Sequence, residues 1–278
     1  MNCTNDLIDI AIKEDIGDGD HTSLSCIPRN AIGKAHLLVK EKGIIAGVEL
    51  AKKIFKKIDS SLNFKQLIAD GNIVNINDIV FIVEGSSHSI LQAERLVLNF
   101  MQRMSGIASN TNNYVKLLDG LNTKILDTRK TTPGLREIEK WAVKIGGGTN
   151  HRMGLYDMIM IKDNHIDYAG GIKEAISSTQ KYLNKNNKKL KIEVEARNLT
   201  ELNEILVIGG IHRIMLDNFS FDDIRTAVSL IDGKYETEAS GGITKKTIRK
   251  YAECGVDYIS IGALTHQINS IDLSLKAI

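Results

Sequence analysis

Short apolar, β-branched runs recur along the second half of the chain, and helix-like segments separate most of them. The strands predicted from these runs are 124–127, 158–161, 192–195, 213–217, 235–239 and 258–261. From the third run onward, successive runs begin about 22 residues apart, and the helices predicted between them are 199–208, 220–231 and 245–254. Strands alternating with helices of this length predict right-handed βαβ units and a parallel sheet.

The pattern favours a barrel over a doubly wound sheet, because no dinucleotide-binding G-x-G-x-x-G follows the first strand. Six strands are predicted, fewer than the eight of a complete barrel, so the count leaves both a closed and a partial barrel open. Residues 1–108 differ: their helices and strands do not alternate regularly, which indicates an α+β domain. The elements predicted there are a helix at 7–15, strands at 35–40 and 79–83, a helix opened by 43–47 and running through 58, and a long helix at 93–104.

Composition narrows the class of protein. The chain has 278 residues, 42% of them apolar and 25% charged, which suits a large α/β domain with a smaller companion. A net charge of +2 argues against nucleic-acid binding. No apolar run approaches ~18 residues, so no membrane span is expected. Three widely spaced cysteines and no visible secretion signal predict a reducing, cytoplasmic setting.

Cations cluster near the ends of the predicted strands, beside apolar runs and glycine turns. They are Arg129, Lys130, His151, Arg152 and Lys162. Cations in such places are costly to desolvate unless an anion meets them. In a (β/α) barrel the carboxyl ends of all strands meet at one mouth. The sequence therefore predicts a site for a small, multiply charged anion.

Two carboxylates, Glu195 and Asp217, end neighbouring predicted strands and should face a common space. Oxygen ligands beside cations suit Mg²⁺, which keeps waters and bridges substrate phosphates. The alternative is a pair of structural salt bridges to Lys162 and Arg129.

Glycine turns follow the last two strands, in Ser240-Gly-Gly-Ile-Thr244 and in Ser260-Ile-Gly-Ala-Leu-Thr265. Glycine lets backbone amides approach an anion closely, and the last two loops of a barrel are the usual phosphate site. Upstream, Pro133-Gly134 makes a turn that can present Arg129 and Lys130 together.

At these residues the chain resembles the quinolinate phosphoribosyltransferase family, also called the nicotinate-nucleotide pyrophosphorylases. The resemblance also rests on Glu14-Asp-Ile-Gly-Asp-Gly-Asp-His-Thr22, Ala93-Glu-Arg-Leu-Val-Leu-Asn99 and Ser105-Gly-Ile-Ala108. It implies an α/β fold in which an incomplete (β/α) barrel at 109–266 follows an N-terminal α+β sandwich domain at 1–108, as in type II phosphoribosyltransferases. The tail at 267–278 is expected to return to the N-terminal domain.

The resemblance also implies a role for each site residue. The residues matched to substrate contacts are Arg95, Thr128, Arg129, Lys130, His151, Arg152, Lys162, Glu195, Asp217, Ser240, Gly241, Gly242 and Gly262. Among these, Lys130, Glu195 and Asp217 are expected to be catalytic, with Glu195 and Asp217 also holding Mg²⁺, partly through substrate phosphates. Arg95 is expected to be lent across a homodimer with shared sites, and a hexamer is left open.

The implied activity is decarboxylating phosphoribosyl transfer from phosphoribosyl pyrophosphate to quinolinate, in NAD biosynthesis. The first alternative is another acceptor, such as nicotinate, or membership of a related branch associated with molybdate uptake. The second is a non-catalytic sugar-phosphate-binding barrel, which the presence of both acidic residues and all the basic ones disfavours.

Overall fold

Two units make up the fold, and the computed structural model describes residues 3–278 of them. The first unit contains residues 3–112, Lys130–Gly147 and Ala263–Ile278, and the second contains Asn113–Arg129 and Gly148–Gly262. The observed division therefore differs from the predicted one at three places, because the first unit includes residues 109–112, Lys130–Gly147 and 263–266 of the segment predicted as the barrel. The salt bridge between Arg103 and Glu139, 2.6 Å long, ties Lys130–Gly147 to the first unit.

The first unit contains a four-stranded sheet and a two-stranded one. Its strands are β1 (Ile32–Val39), β2 (Gly43–Ile44), β3 (Asn63–Gln66), β4 (Ile73–Val74), β5 (Ile79–Ser86) and, from the end of the chain, β12 (Leu273–Ala277). The order in the larger sheet is β12-β1-β5-β3, and every pairing in it is antiparallel. The last strand of the chain therefore lies beside the first.

The first unit also contains helices. They are α1 (Cys3–Ile16), α2 (His21–Cys26), α3 (Val48–Ile58), α4 (Ser87–Lys116), α5 (Arg136–Ile145) and α11 (Ala263–His266). The rings of Phe55, Phe64 and Phe81 pack together, with centroids 4.6 to 5.9 Å apart. Helix α4 extends well beyond the predicted 93–104, and Leu96, Phe100 and Met104 are buried on it as expected.

The second unit is a six-stranded parallel sheet with helices between its strands. The strands are β6 (Lys124–Leu126), β7 (Ile159–Ile161), β8 (Ile192–Ala196), β9 (Arg213–Asp217), β10 (Glu236–Ser240) and β11 (Tyr258–Ser260). The helices are α6 (Asp163–Ala169), α7 (Ile172–Lys185), α8 (Leu199–Ile208), α9 (Phe221–Ile231) and α10 (Ile248–Glu253).

The order of this sheet is that of a barrel with one pairing absent. The strands run β6-β11-β10-β9-β8-β7, so the first strand pairs with the last, and β6 and β7 are the two edges. A single parallel bridge from Leu126 to Thr149 places the segment before β7 alongside β6. The incomplete (β/α) barrel that the family resemblance implies is confirmed.

Two predicted helices begin later than expected. The helix predicted at 245–254 begins at Ile248, because the Thr244 amide donates to Thr247 Oγ1 (3.0 Å) and shapes a turn ahead of it. The helix predicted to open with 43–47 begins at Val48, whose amide donates to the Asp70 carboxylate (2.8 Å). Along residues 3–278, none of the helices combines the length and the apolar character needed to cross a membrane.

Candidate active site

Parallel strands bring their carboxyl ends to one edge of the second unit, and most of the predicted site residues lie there. Those in this unit are Thr128, Arg129, His151, Arg152, Lys162, Glu195, Asp217, Ser240, Gly241, Gly242 and Gly262. Apart from His151 and Arg152, these residues lie at the carboxyl ends of the strands or just after them. His151 and Arg152 reach the same edge because their segment runs parallel to β6 after the Leu126–Thr149 bridge.

Two carboxylates and a lysine form one group at this edge. Lys162 Nζ lies 3.4 Å from the buried Glu195 carboxylate. Burial raises the pKa of Glu195, the charge of Lys162 opposes that shift, and the charge of Asp217 adds to it. The two carboxylates are therefore close enough to interact. Paired oxygen donors of this kind fit Mg²⁺. The salt bridge from Lys162, which belongs to the alternative interpretation, is present as well.

Glycine is required where β10 ends. Asn218, in the left-handed region at φ 57°, donates its amide to the Ser240 carbonyl (2.9 Å). A Cβ on Gly241 would lie 2.1 Å from Asn218 Oδ1 and 2.9 Å from its main-chain nitrogen. Gly241 itself has φ 97°. The turn therefore leaves the backbone after Ser240 open to close approach, as the phosphate prediction requires.

The charge of Arg129 acts on the guanidinium of Arg152. Burial lowers the pKa of the Arg152 guanidinium, and the charge of Arg129 lowers it further. Arg152 Nη1 also donates to the Met158 carbonyl (3.1 Å), which fixes one end of the guanidinium. Because the charge of Arg129 acts on Arg152, an anion that binds both arginines is favoured.

The aspartate after β6 holds the His151 segment in place. Asp127 is fully buried, and its carboxylate accepts from the His151 amide (2.8 Å) and from Asn150 Nδ2 (2.5 Å). The main chain of His151 is therefore fixed at the carboxyl end of β6.

The His151 ring is buried and points toward Glu193 of β8 and Glu238 of β10. Its Nε2 lies 3.0 Å from Glu193 and 3.2 Å from Glu238, and both carboxylates are fully buried. Burial lowers the pKa of His151, but hydrogen bonds and charge from these two carboxylates outweigh it and raise the pKa to about 9. Arg213 Nη1, 3.3 Å from Glu238, adds a second cation. The role of His151 as a substrate-binding cation stays a prediction.

The sequence interpretation missed Glu193, Glu238 and Arg213. A signal for two of them existed in the alternation of the strands, because Glu193 and Glu195 share one face of β8, as Glu236 and Glu238 share one face of β10. The sequence places Glu195 at the mouth of the barrel. Glu193, two residues earlier on the same face of β8, is therefore expected one layer deeper.

Two predicted residues lie in the first unit. Arg95 is exposed on α4. Lys130 has an exposed side chain, and its carbonyl accepts from Thr265 Oγ1 (2.8 Å). Close to it in sequence, the Thr132 amide donates to Glu139 (3.2 Å), which also binds Arg103. The chain that presents Lys130 is therefore anchored at two points.

Comparison with known proteins identifies the family. A model described as "Quinolinate phosphoribosyl transferase, C-terminal domain" matches residues 107–276, and its N-terminal counterpart matches residues 20–105. The chain belongs to the quinolinate phosphoribosyltransferase family. This family comprises pentosyltransferase enzymes.

Relatives in the family cover nearly all of the chain. Quinolinate phosphoribosyltransferase (decarboxylating) 1b of Nicotiana tabacum is 48% identical over 97% of this chain and 81% of its own. A probable nicotinate-nucleotide pyrophosphorylase of Bacillus subtilis is 42% identical over 94% and 89%. The solved nicotinate-nucleotide pyrophosphorylase of Francisella tularensis is 41% identical, with a TM-score of 0.92 over 100% of this chain and 96% of that one.

Proposed function

We propose that the chain transfers a phosphoribosyl group from phosphoribosyl pyrophosphate to quinolinate and releases pyrophosphate and CO₂, giving nicotinate mononucleotide for NAD biosynthesis. The observation that carries this proposal is the position of Arg129, Arg152 and Lys162 at the carboxyl edge of one parallel sheet, because an acceptor with two adjacent carboxylates would bind two guanidinium groups. Family membership and the names of the relatives support the same reaction.

The acceptor would bind among the cations at the strand ends. Arg129 and Arg152 would each bind a carboxylate through paired N–H groups, and Lys162 would add a point charge. The Lys162 amide donates to His165 Nδ1 (3.0 Å), which fixes the start of α6 and with it the base of the lysine side chain. His151 completes the predicted set of acceptor-binding cations, and Thr128 would add a further contact to substrate.

The phosphoribosyl donor would bind along the later strands. Ser240, Gly241, Gly242 and Gly262 would provide backbone and hydroxyl donors to its phosphate, and Lys130 would contact the departing pyrophosphate. Glu195 and Asp217 would hold Mg²⁺, which when bound would offset negative charge on the departing pyrophosphate.

The chain's own residues account for the chemistry in order. As the C1–O bond to pyrophosphate breaks, positive charge develops on the ribose, and Glu195 and Asp217 stabilise it. The ring nitrogen of quinolinate then forms the bond to C1 and becomes a pyridinium. The adjacent carboxylate leaves as CO₂, and the electron pair it leaves behind is stabilised by the positive nitrogen. A proton from solvent restores the ring carbon, so no electron-sink cofactor is needed.

The assembly is proposed to be a homodimer in which Arg95 completes the partner's site; a hexamer built from such dimers would use the same contact. The exposure of Arg95 on α4 supports this use. We place the protein in the cytoplasm, although the names of plant relatives include chloroplastic and mitochondrial proteins.

The deciding experiment is incubation of the protein with quinolinate, phosphoribosyl pyrophosphate and Mg²⁺, with CO₂ and nicotinate mononucleotide measured together. Both products should form in equal amounts, and excess chelator or Asp217→Asn should abolish most turnover while the fold is retained. Nicotinate in place of quinolinate tests the alternative acceptor. Equal rates with both acceptors, or full activity of Asp217→Asn, would overturn the proposal.

A further inference from the structure

A buried carboxylate holds the turn that follows Lys130. Glu139, in the first turn of α5, is fully buried. Its Oε1 accepts from Arg103 Nε (2.9 Å) and Nη2 (2.6 Å), and its Oε2 accepts from the Thr132 amide (3.2 Å). Because both arginine bonds go to Oε1, Oε2 is available to the main chain. Glu139 therefore joins α4 to a residue two positions after Lys130.

Thr132 is held by each of its polar groups. Arg103 Nη2 donates to its hydroxyl (2.7 Å), and Glu139 accepts from its amide. Its carbonyl accepts from the amide three residues later (3.0 Å), which closes a turn with Pro133 and Gly134 at its centre. A proline followed by a glycine at φ 82° fits a type II turn. This turn is therefore fixed by side chains of α4 and α5.

The main chain between Lys130 and the turn is held as well. The Lys130 carbonyl accepts from the hydroxyl of the buried Thr265 (2.8 Å), and the Thr131 hydroxyl accepts from Arg136 Nε (3.0 Å). Each residue from Lys130 to Thr132 is thus bonded to another segment, while the lysine side chain is exposed. The base of this side chain is therefore fixed.

Stability alone does not call for an ion pair at this place. Replacing a buried ion pair by apolar side chains of similar volume is often neutral or stabilising. An apolar pair at Arg103 and Glu139 could fill the same space, but it would leave the Thr132 amide without its acceptor. What the ion pair adds is control of the main chain next to Lys130.

We propose that Arg103 and Glu139 are positioning residues for phosphoribosyl pyrophosphate: they fix Thr132, and through it the main chain that carries Lys130. The proposal rests on the proposed function, because it assigns Lys130 to the departing pyrophosphate. Neither Arg103 nor Glu139 is assigned a substrate contact. Because the lysine stem is flexible, a fixed base limits the positions that Nζ reaches, and its loss affects the phosphoribosyl donor rather than the acceptor.

A paired apolar substitution separates positioning from stability. Arg103→Met/Glu139→Met removes both charges together, so no buried charge is left alone. It should fold, but kcat/KM for phosphoribosyl pyrophosphate should fall about tenfold or more, with KM for quinolinate unchanged within about twofold. The matched control is Asp9→Met/Lys57→Met, which removes an ion pair of the same length, 2.6 Å, between α1 and α3. It should change neither value.

A second variant tests the same link without altering the buried pair. Thr132→Val removes only the hydroxyl that accepts from Arg103, at an exposed position. It should lower kcat/KM for phosphoribosyl pyrophosphate about threefold and leave KM for quinolinate unchanged. No loss in Thr132→Val, or equal losses for the two substrates, would count against the proposal.

A cycle with Lys130 tests whether the pair acts through the lysine. Lys130→Met should itself lower kcat/KM for phosphoribosyl pyrophosphate, and adding Arg103→Met/Glu139→Met should lower it no further. Full additivity of the two losses would show that the pair acts elsewhere and would overturn the proposal. An unchanged kcat/KM in Arg103→Met/Glu139→Met would do the same.

Hydrogen exchange reports on the turn without activity. The Thr132 amide should lose protection in Arg103→Met/Glu139→Met, because its acceptor is gone. The Val48 amide, which donates to Asp70 (2.8 Å), should keep its protection and serves as the internal control. Unchanged protection of Thr132 would refute the positioning role.

Binding of pyrophosphate in the presence of Mg²⁺, measured by calorimetry, separates this proposal from the proposed function. Its Kd should rise about tenfold or more in Arg103→Met/Glu139→Met and stay within about twofold of wild type in Asp9→Met/Lys57→Met. A wild-type protein inactive with quinolinate that still shows this pattern would refute only the proposed acceptor. An unchanged Kd in Arg103→Met/Glu139→Met would refute only the positioning role, and a wild-type protein that binds no pyrophosphate would refute both.

Discussion

Arg152 shows how a single residue can determine which acceptor is used. Its planar guanidinium is held by the Met158 carbonyl and lies within the field of Arg129. Quinolinate has two adjacent carboxylates and nicotinate has one, so nicotinate would leave either the half-buried Arg152 or the exposed Arg129 without a substrate carboxylate. The loss is greatest at Arg152, because a charge that loses its partner costs up to several kcal/mol where it is buried.

We therefore expect the wild-type protein to favour quinolinate over nicotinate by about a thousandfold or more in kcat/KM. Arg152→Lys keeps the charge but loses the paired N–H geometry, and it should raise KM for quinolinate about tenfold or more. Steady-state kinetics with both acceptors measure this. Arg197→Lys, at an exposed arginine paired with Glu201, is the control and should change neither value. Similar kcat/KM for the two acceptors would contradict the role of Arg152.

His151 predicts a dependence of stability on pH. Its pKa is raised to about 9 in the folded chain, against about 6.5 when unfolded. The folded state therefore binds more protons in this range, and the stabilisation is fully present below pH 6.5 and is lost as pH rises to 9. The free energy of unfolding should fall by about 1 kcal/mol per pH unit there.

Denaturant unfolding at pH 6.5 and pH 9 measures the effect. The difference should shrink in His151→Gln and persist in His21→Gln, whose side chain is mostly exposed. A difference that His151→Gln leaves unchanged would assign the proton uptake to another group.

At the scale of the element, the turn after β10 places a strict demand on sequence. A methyl group at Gly241 would collide with Asn218, and the left-handed φ adds strain. Gly233 also has a positive φ, of 69°, but nothing lies within 4 Å of a Cβ there. Comparing substitutions at Gly233 and Gly241 therefore separates the effect of the steric clash from the effect of backbone strain.

Gly233→Ala should lower stability by roughly 1–2 kcal/mol, from backbone strain alone, and leave KM for phosphoribosyl pyrophosphate unchanged. Gly241→Ala should lower stability more and also raise that KM, because the displaced turn no longer presents its amides to the phosphate. Urea denaturation and steady-state kinetics check both. Equal effects of the two substitutions would show that the turn does not contact the donor.

How far the sequence predicts an element depends on which interactions set its limits. Strand β9 lies where its short apolar run put it, and helix α8 lies where its helix-like pattern put it, because burial of apolar side chains determines both. Helix α10 begins three residues late, because hydroxyl groups of Thr244 and Thr247 shape the turn ahead of it. Local periodicity carries no information about such side-chain bonds.

The candidate site divides in the same way. Residues at strand ends, such as Glu195 and Asp217, follow from barrel topology, and the structure brings them together. The Glu193–Glu238 cluster could not be paired from sequence, because its contacts join strands that are not neighbours in the sheet and depend on the direction of the His151 ring.

At the scale of the whole molecule, the proposed homodimer requires that Arg95 of each subunit complete the active site of the other subunit. The combination of Arg95→Ala with Asp217→Asn distinguishes the two arrangements. If sites are shared, a mixed dimer of the two single variants has one site with both residues intact. If each chain uses its own Arg95, that mixed dimer has none.

We expect each variant alone to be nearly inactive and an equal, re-equilibrated mixture to recover about a quarter of wild-type activity, because half of the dimers are mixed and each has one working site. The double variant Arg95→Ala/Asp217→Asn provides the reciprocal control. Its mixed dimers with wild type should be inactive if sites are shared, because the intact barrel then receives the altered Arg95; they should keep one working site if sites are not shared. Activity per mixed dimer, measured after separation with two affinity tags, gives opposite answers in the two arrangements. If the mixed dimers of the double variant with wild type are active while the mixed dimers of the two single variants are not, Arg95 acts within its own subunit.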